Sequence, residues 1–197
     1  MAAPVLATAL LFTSFDAFAQ QVDTATLIEA ARAKAKKIDE IKAILNDPDQ
    51  TVRLAAFEAM VGSGDPLMRE LAIQTGLAAS DSIMRALAFK HVLLGLDRLV
   101  FTLAVDESEA KERVEHSQAV FAQNGSIASI QFDRSRTDPA KAIFFRPGSS
   151  QTGKVEGLVV TFDYGEIEGE LRLQDDNSLL GRVRFHNGVF KAKANPF

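Results

Sequence analysis

LNDPDQTVRLAAFEAM, residues 45–60, decides how the first half of this chain folds. Asp47-Pro48 ends one helix, because proline has no N–H to give and pushes the residue before it out of the helical region. Asp49 is then placed to cap a second helix. Val52, Ala56, Ala59 and Met60 recur at three- and four-residue steps and form the buried side of that helix. Upstream, Leu27, Ala31, Ile38, Ile41 and Leu45 make one apolar stripe, with Asp23 or Thr24 as cap and Thr26 and Glu29 at capping-box spacing. Lys34 interrupts the stripe, so two shorter helices meeting there are the alternative. Arg32, Lys34, Lys36 and Lys37 form a basic cluster that reads as a solvated helix face.

The pattern returns after 32 residues. Ile41 falls on Ile73, Leu45 on Leu77, Asp49 on Asp81, Val52 on Met84, Arg53 on Arg85, Ala56 on Ala88 and Phe57 on Phe89. A helix pair repeated at such a period is the mark of an α-solenoid, whose units bury their apolar faces only by stacking. The run Asp47-Pro48-Asp49-x-x-Val52-Arg53-x-x-Ala56-x-x-Ala59-Met60 resembles a HEAT repeat, and residues 37–95 hold it with a degenerate second copy. The resemblance implies that Asp47, Arg53 and Arg85 belong to a hydrogen-bonded ladder between neighbouring repeats; Ala79 stands where the second aspartate is expected. Phe57 and Phe89 fall at equivalent positions on the flank of the packed stripe. Either the rest of the chain covers them, or they form a small apolar strip that binds a partner.

From residue 98 the period changes from 3.6 to 2. Phe101, Leu103 and Val105 alternate with Val100, Thr102 and Ala104, and Leu158, Val160 and Phe162 with Val159, Thr161 and Asp163. In EIEGELRL, Ile167, Gly169, Leu171 and Leu173 face one way, while Glu166, Glu168, Glu170 and Arg172 face the other. Val183 and Phe185, then Phe190 and Ala192, continue the alternation. This is a sheet with one dry and one wet face. Asp163-Tyr164-Gly165, Asp175-Asp176-Asn177 and Asn187-Gly188 read as turns, so the last four strands form an antiparallel meander. Residues 106–123 read as a short helix or a connecting segment.

Composition narrows the function. With 47% apolar and 24% charged residues the chain is globular, and a net charge of -4 argues against nucleic acid. The absence of cysteine removes disulfides, thiolate catalysis and thiolate metal sites. Residues 1–19 read as an export signal: Val5 to Phe12 is a short apolar run, and Ala17-Phe18-Ala19 is a cleavage motif of the Gram-negative type. No basic residue precedes the run, and Asp16 interrupts the segment. No later run is long enough to span a membrane.

Catalytic constellations are missing. His91, His116 and His186 lack ligand spacing, and neither a Gly-x-Ser-x-Gly elbow nor a phosphate loop is present. Glu166, Glu168 and Glu170 share one side of a strand, where facing arginines and lysines make cross-strand pairing the expected role. Asp175-Asp176-Asn177 lacks the glycine and distant glutamate of a calcium loop. The expectation is therefore α+β: N-terminal HEAT-like hairpins (20–97) packed against a C-terminal antiparallel β-meander (98–197), forming a sheet, sandwich or small barrel. The expected role is a non-catalytic interaction or structural module, periplasmic or secreted, whose partner is another periplasmic or envelope protein. No metal or cofactor is called for. The alternative is a small-molecule or lipid carrier that uses the apolar interior of the β half. Both run from fold to function.

Overall fold

A computed structural model describes residues 24–196; the expected signal, residues 1–19, lies outside them. Four helices come first: α1 (Thr24–Leu45), α2 (Gln50–Val61), α3 (Pro66–Leu77) and α4 (Ser82–Leu94). Lys34 does not break α1, which is one helix of 22 residues. The sequence there is rich in Ala, Lys, Glu and Leu, all strong helix formers, and Lys34 is simply exposed. Among the described residues, 40–196 form one compact unit and 24–39 another.

Three aspartates start three helices in the same way. Asp49, Asp65 and Asp81 sit in extended backbone, and each carboxylate accepts the N–H two residues on, from Thr51, Leu67 and Ile83 at 2.8, 2.9 and 2.9 Å. That satisfies donors the helix itself leaves unpaired. Pro66 follows Asp65 at the first helical position, where its missing N–H costs nothing. α2 packs on α3 and α3 on α4.

The handover to strands comes at Arg98. β1 (Arg98–Val105) is followed by α5 (Lys111–Asn124), then β2 (Ile127–Gln131), β3 (Ile143–Phe145), β4 (Thr152–Glu156), β5 (Val159–Asp163), β6 (Ile167–Leu173), β7 (Leu179–Phe185) and β8 (Gly188–Ala194). All pair antiparallel in the order β2-β1-β8-β7-β6-β5-β4-β3. The expected α+β class and the meander of the last four strands hold. β2, β3 and β4 were not expected from the sequence. The segment 106–123 resolves as an aspartate-led turn and α5.

The sheet curls on itself. β1 and β5 are four places apart, about 19 Å along a flat sheet, yet the Phe101 and Phe162 rings lie 5.9 Å apart. At the two edges, Asp133 N–H donates to the Phe145 carbonyl at 2.8 Å, and Phe132 and Phe144 rings meet at 4.4 Å. The Tyr164 hydroxyl donates to the Gln131 carbonyl across the same seam at 3.1 Å. An inward row explains the curvature: Phe144, Gly153, Phe162, Gly169, Val183 and Phe190 are successive cross-strand partners. Large rings beside glycines let the inner face contract without clash. The Phe144 ring lies over Gly153 where a side chain would stand, and at Gly181 a Cβ would enter the Glu170 carbonyl. The interior is filled: Phe101, Phe144, Leu171, Leu179, Val183 and Phe190 are at most 1% exposed.

Candidate functional site

Arg53 pairs with a different acid from the one the resemblance implies. Arg53 Nη2 pairs with Asp81 at 2.6 Å, the carboxylate that also caps α4. Gln50 donates to the same Asp81 oxygen at 3.1 Å. The Asp47 carboxylate instead accepts the Asp49 N–H at 2.8 Å, and only its carbonyl receives Arg53, at 2.7 Å. Asp47 is thus a local turn former, because Pro48 folds the backbone back on its side chain. The Arg53 guanidinium, helped by the Ile83 N–H, brings the Asp81 carboxyl down to about 2. Arg85 repeats the role one step on, but its acceptors lie in the β6–β7 turn: Asp175 at 2.9 Å and the Gln174 carbonyl at 2.9 Å.

Phe57 and Phe89 do not form a surface strip. Both are 0% exposed. The Phe57 ring rests against α3 at Gly76, where an added Cβ would come within 3.0 Å of it, and lies 5.6 Å from the His91 ring. Phe57 closes α2 on α3, and both rings lie in the core and not on an outer face.

A different surface joins the two repeats. Thr51, Leu54, Ala55 and Glu58 of α2 face Ile83, Ala86, Leu87 and Lys90 of α4 across a groove of about 600 Å³, closed at one side by Val155 and Gly157 of the β4–β5 hairpin. Each residue of the first set lies 32 positions before one of the second, so the groove is the same helix face used twice. Its lining is largely apolar, with Ile83 54% exposed and Glu58 and Lys90 as its charged residues. Behind it His91 Nε2 lies 3.7 Å from Glu58 Oε2. Burial lowers the His91 pKa, against the pull of the Glu58 charge. The sequence did not single out this face, although Leu54, Ala55, Ile83, Ala86 and Leu87 recur across the 32-residue shift.

One member of the acidic row, Glu168, takes the expected cross-strand partner. Glu168 meets Arg184 at 2.5 Å, while Arg182 turns to Asp106 and Glu109 at 2.9 and 2.7 Å. Asp106 is 1% exposed; the Ser108 hydroxyl and Arg182 hold its carboxyl well below the usual range. This cluster pins the start of α5 to the wet face of β7. In the β6–β7 turn, Asp176 accepts the Ser178 N–H and hydroxyl at 2.9 and 2.6 Å, and Asn177 takes φ 62°. That is turn geometry. His116 Nε2 lies 3.3 Å from the His186 carbonyl, remote in the sequence and in role from His91. Among the described residues no group of three or more His, Asp or Glu is placed to hold a metal ion, and no helix is long and apolar enough to cross a membrane. Compared with protein-family models, curated proteins and solved structures, the chain matches none.

Proposed function

We propose that this is a non-catalytic, exported protein–protein interaction module whose HEAT-like hairpins hold an apolar segment of another envelope protein in the groove between α2 and α4. The observation that carries the reading is the groove's lining by repeat-equivalent residues. Apolar side chains turned to water on two adjacent helices are costly unless a partner covers them, and contiguous apolar patches mark interaction sites on soluble proteins. Glu58 and Lys90 at one end supply opposite charges that fix the direction of a bound segment. The filled interior of the curled sheet favours this reading over a carrier, since the rings a ligand would separate are in contact.

The test is a photo-crosslinking residue at Ala86 in cells that make the protein natively. A discrete adduct from Ala86, lost with Leu54→Asp plus Leu87→Asp and absent from the wet-face position Arg172, is the expected outcome. Equal capture from Ala86 and Arg172, or an adduct indifferent to the two aspartates, overturns the groove. Export has its own readout: the protein recovered from the periplasmic fraction should begin at Gln20, and a chain retaining residues 1–19 in the cytoplasm sinks that part.

A further inference from the structure

The two helix pairs are related by the 32-residue shift, so equivalent positions can be compared between them. At three equivalent pairs of positions the environment differs in the same sense. Met84 is 0% exposed, whereas Val52, its counterpart, is 40% exposed. Gly76 lies buried beneath the Phe57 ring, whereas Ile44, 32 positions earlier, is 45% exposed. Asp81 receives Arg53 and Gln50, whereas the Asp49 carboxylate meets its own helix start at the Thr51 N–H and no cation among the described residues. The first hairpin therefore presents the surface on which a further helical element rests: two apolar side chains flanking a carboxylate that lacks its guanidinium.

We infer that this flank, centred on Ile44, Asp49 and Val52, pairs with the same flank of a second copy of the chain. The far end of the stack dictates the symmetry. There the ladder arginine, Arg85, is already taken by Asp175 and the Gln174 carbonyl of the β6–β7 turn. With those acceptors in place, and Arg85 itself only 14% exposed, head-to-tail stacking onto the Asp49 of another copy is disfavoured. A face with its natural complement closed off associates through itself, as an isologous dimer. The charges suit that arrangement. Lys42 is exposed on the last turn of α1, so a second copy brings a cation to an unpaired acid, and the first copy returns it. Exposed apolar side chains stand near that acid in the sequence: Ile44 on α1 and Val52 on α2.

Sedimentation velocity of the full mature chain over a wide concentration range tests this. The wild type should approach twice the monomer mass as concentration rises. Val52→Glu should remain monomeric with unchanged helix content and melting temperature, and Ile44→Glu should do the same. Asp49→Asn keeps a competent cap and removes the charge, so it should weaken the dimer about two- to fivefold without lowering stability. Leu87→Asp, in the groove, should leave the dimer intact, which separates this inference from the groove reading. A wild type that is monomeric throughout, or a dimer indifferent to both Val52→Glu and Ile44→Glu, overturns it.

Discussion

Arg85 donates to Asp175 at 2.9 Å across 90 residues of sequence, and in doing so treats a β-turn as if it were the next helical hairpin. Arg53 makes the equivalent bond to Asp81. The sheet therefore joins the helices by supplying the acceptors for Arg85.

The contribution of each partner follows from exposure. Asp175 is fully exposed and Arg85 is 14% exposed. Asp175→Asn should change stability little, because exposed ion pairs contribute about 0–1 kcal/mol. Arg85→Ala also removes the bond to the Gln174 carbonyl and the packing of its stem, and should cost about 1–2 kcal/mol. Urea denaturation of the two variants decides between them: equal losses would mean that the charge, and not the carbonyl contact, joins helices to sheet.

Acid should act in two windows. Asp81 has a folded pKa of about 2 against an ordinary 3.8, so its contribution is present above 3.8 and is lost as pH falls toward 2. Asp106 and Asp176 are depressed too, and add with the same sign. His91 is also lowered, from 6.5, but as a base: the fold holds it neutral, so stability is full above 6.5 and erodes as pH falls below that value. Thermal melts at intervals of pH should show a shallow limb beginning near 6.5 that His91→Gln removes, and a steeper one below 3.8 that Asp81→Asn reduces. A His91→Gln protein with an unchanged upper limb would place that titration elsewhere.

What was legible in the sequence was local. An aspartate two residues ahead of its N–H partner involves a single element, and the starts of α2 and α4 at Asp49 and Asp81 follow from that alone. The buried stripe of α2 was misplaced, since Val52 and Ala59 are exposed and Phe57 on its flank is enclosed. β6 to β8 were legible because Glu, Arg and Lys alternate strictly with apolar residues. β4 was not: its inward residues are Gly153 and Val155, and a glycine that makes room for Phe144 carries no hydrophobic signal. The ladder acid was misplaced for the same reason, since Arg53 reaches past Asp47 to a carboxylate 28 residues on. The groove and the burial of Phe57 depend on which helix lies alongside, and no spacing within α2 states that.

The curl of the sheet rests on two glycines with different neighbours, which makes their roles separable. At Gly153 the obstacle to a methyl group is the ring of Phe144; at Gly181 it is the backbone carbonyl of Glu170. Both Gly→Ala changes should destabilise, by about 1–3 kcal/mol for an overpacked site. Adding Phe144→Leu should recover part of the loss at Gly153, because the shorter side chain clears the space, and none at Gly181. A rescue of Gly181→Ala by Phe144→Leu would show that the strain spreads through the sheet and is not held at the contact.

Phe57 and Phe89 provide the sharpest test of the stack itself. Each is completely enclosed, so truncation to alanine should cost about 3–5 kcal/mol in transfer and cavity terms. The two cavities differ in position: Phe57 closes the first hairpin on α3 and His91, while Phe89 lies on the helix whose arginine docks the sheet. Phe57→Ala should therefore loosen α2 ahead of the rest, and Phe89→Ala should unfold helices and sheet together. Hydrogen exchange read by mass spectrometry resolves this, with the residue 50–61 segment exchanging early in Phe57→Ala and at the global rate in Phe89→Ala. Two variants that retain wild-type stability would return both rings to the surface and remove the basis for the stack.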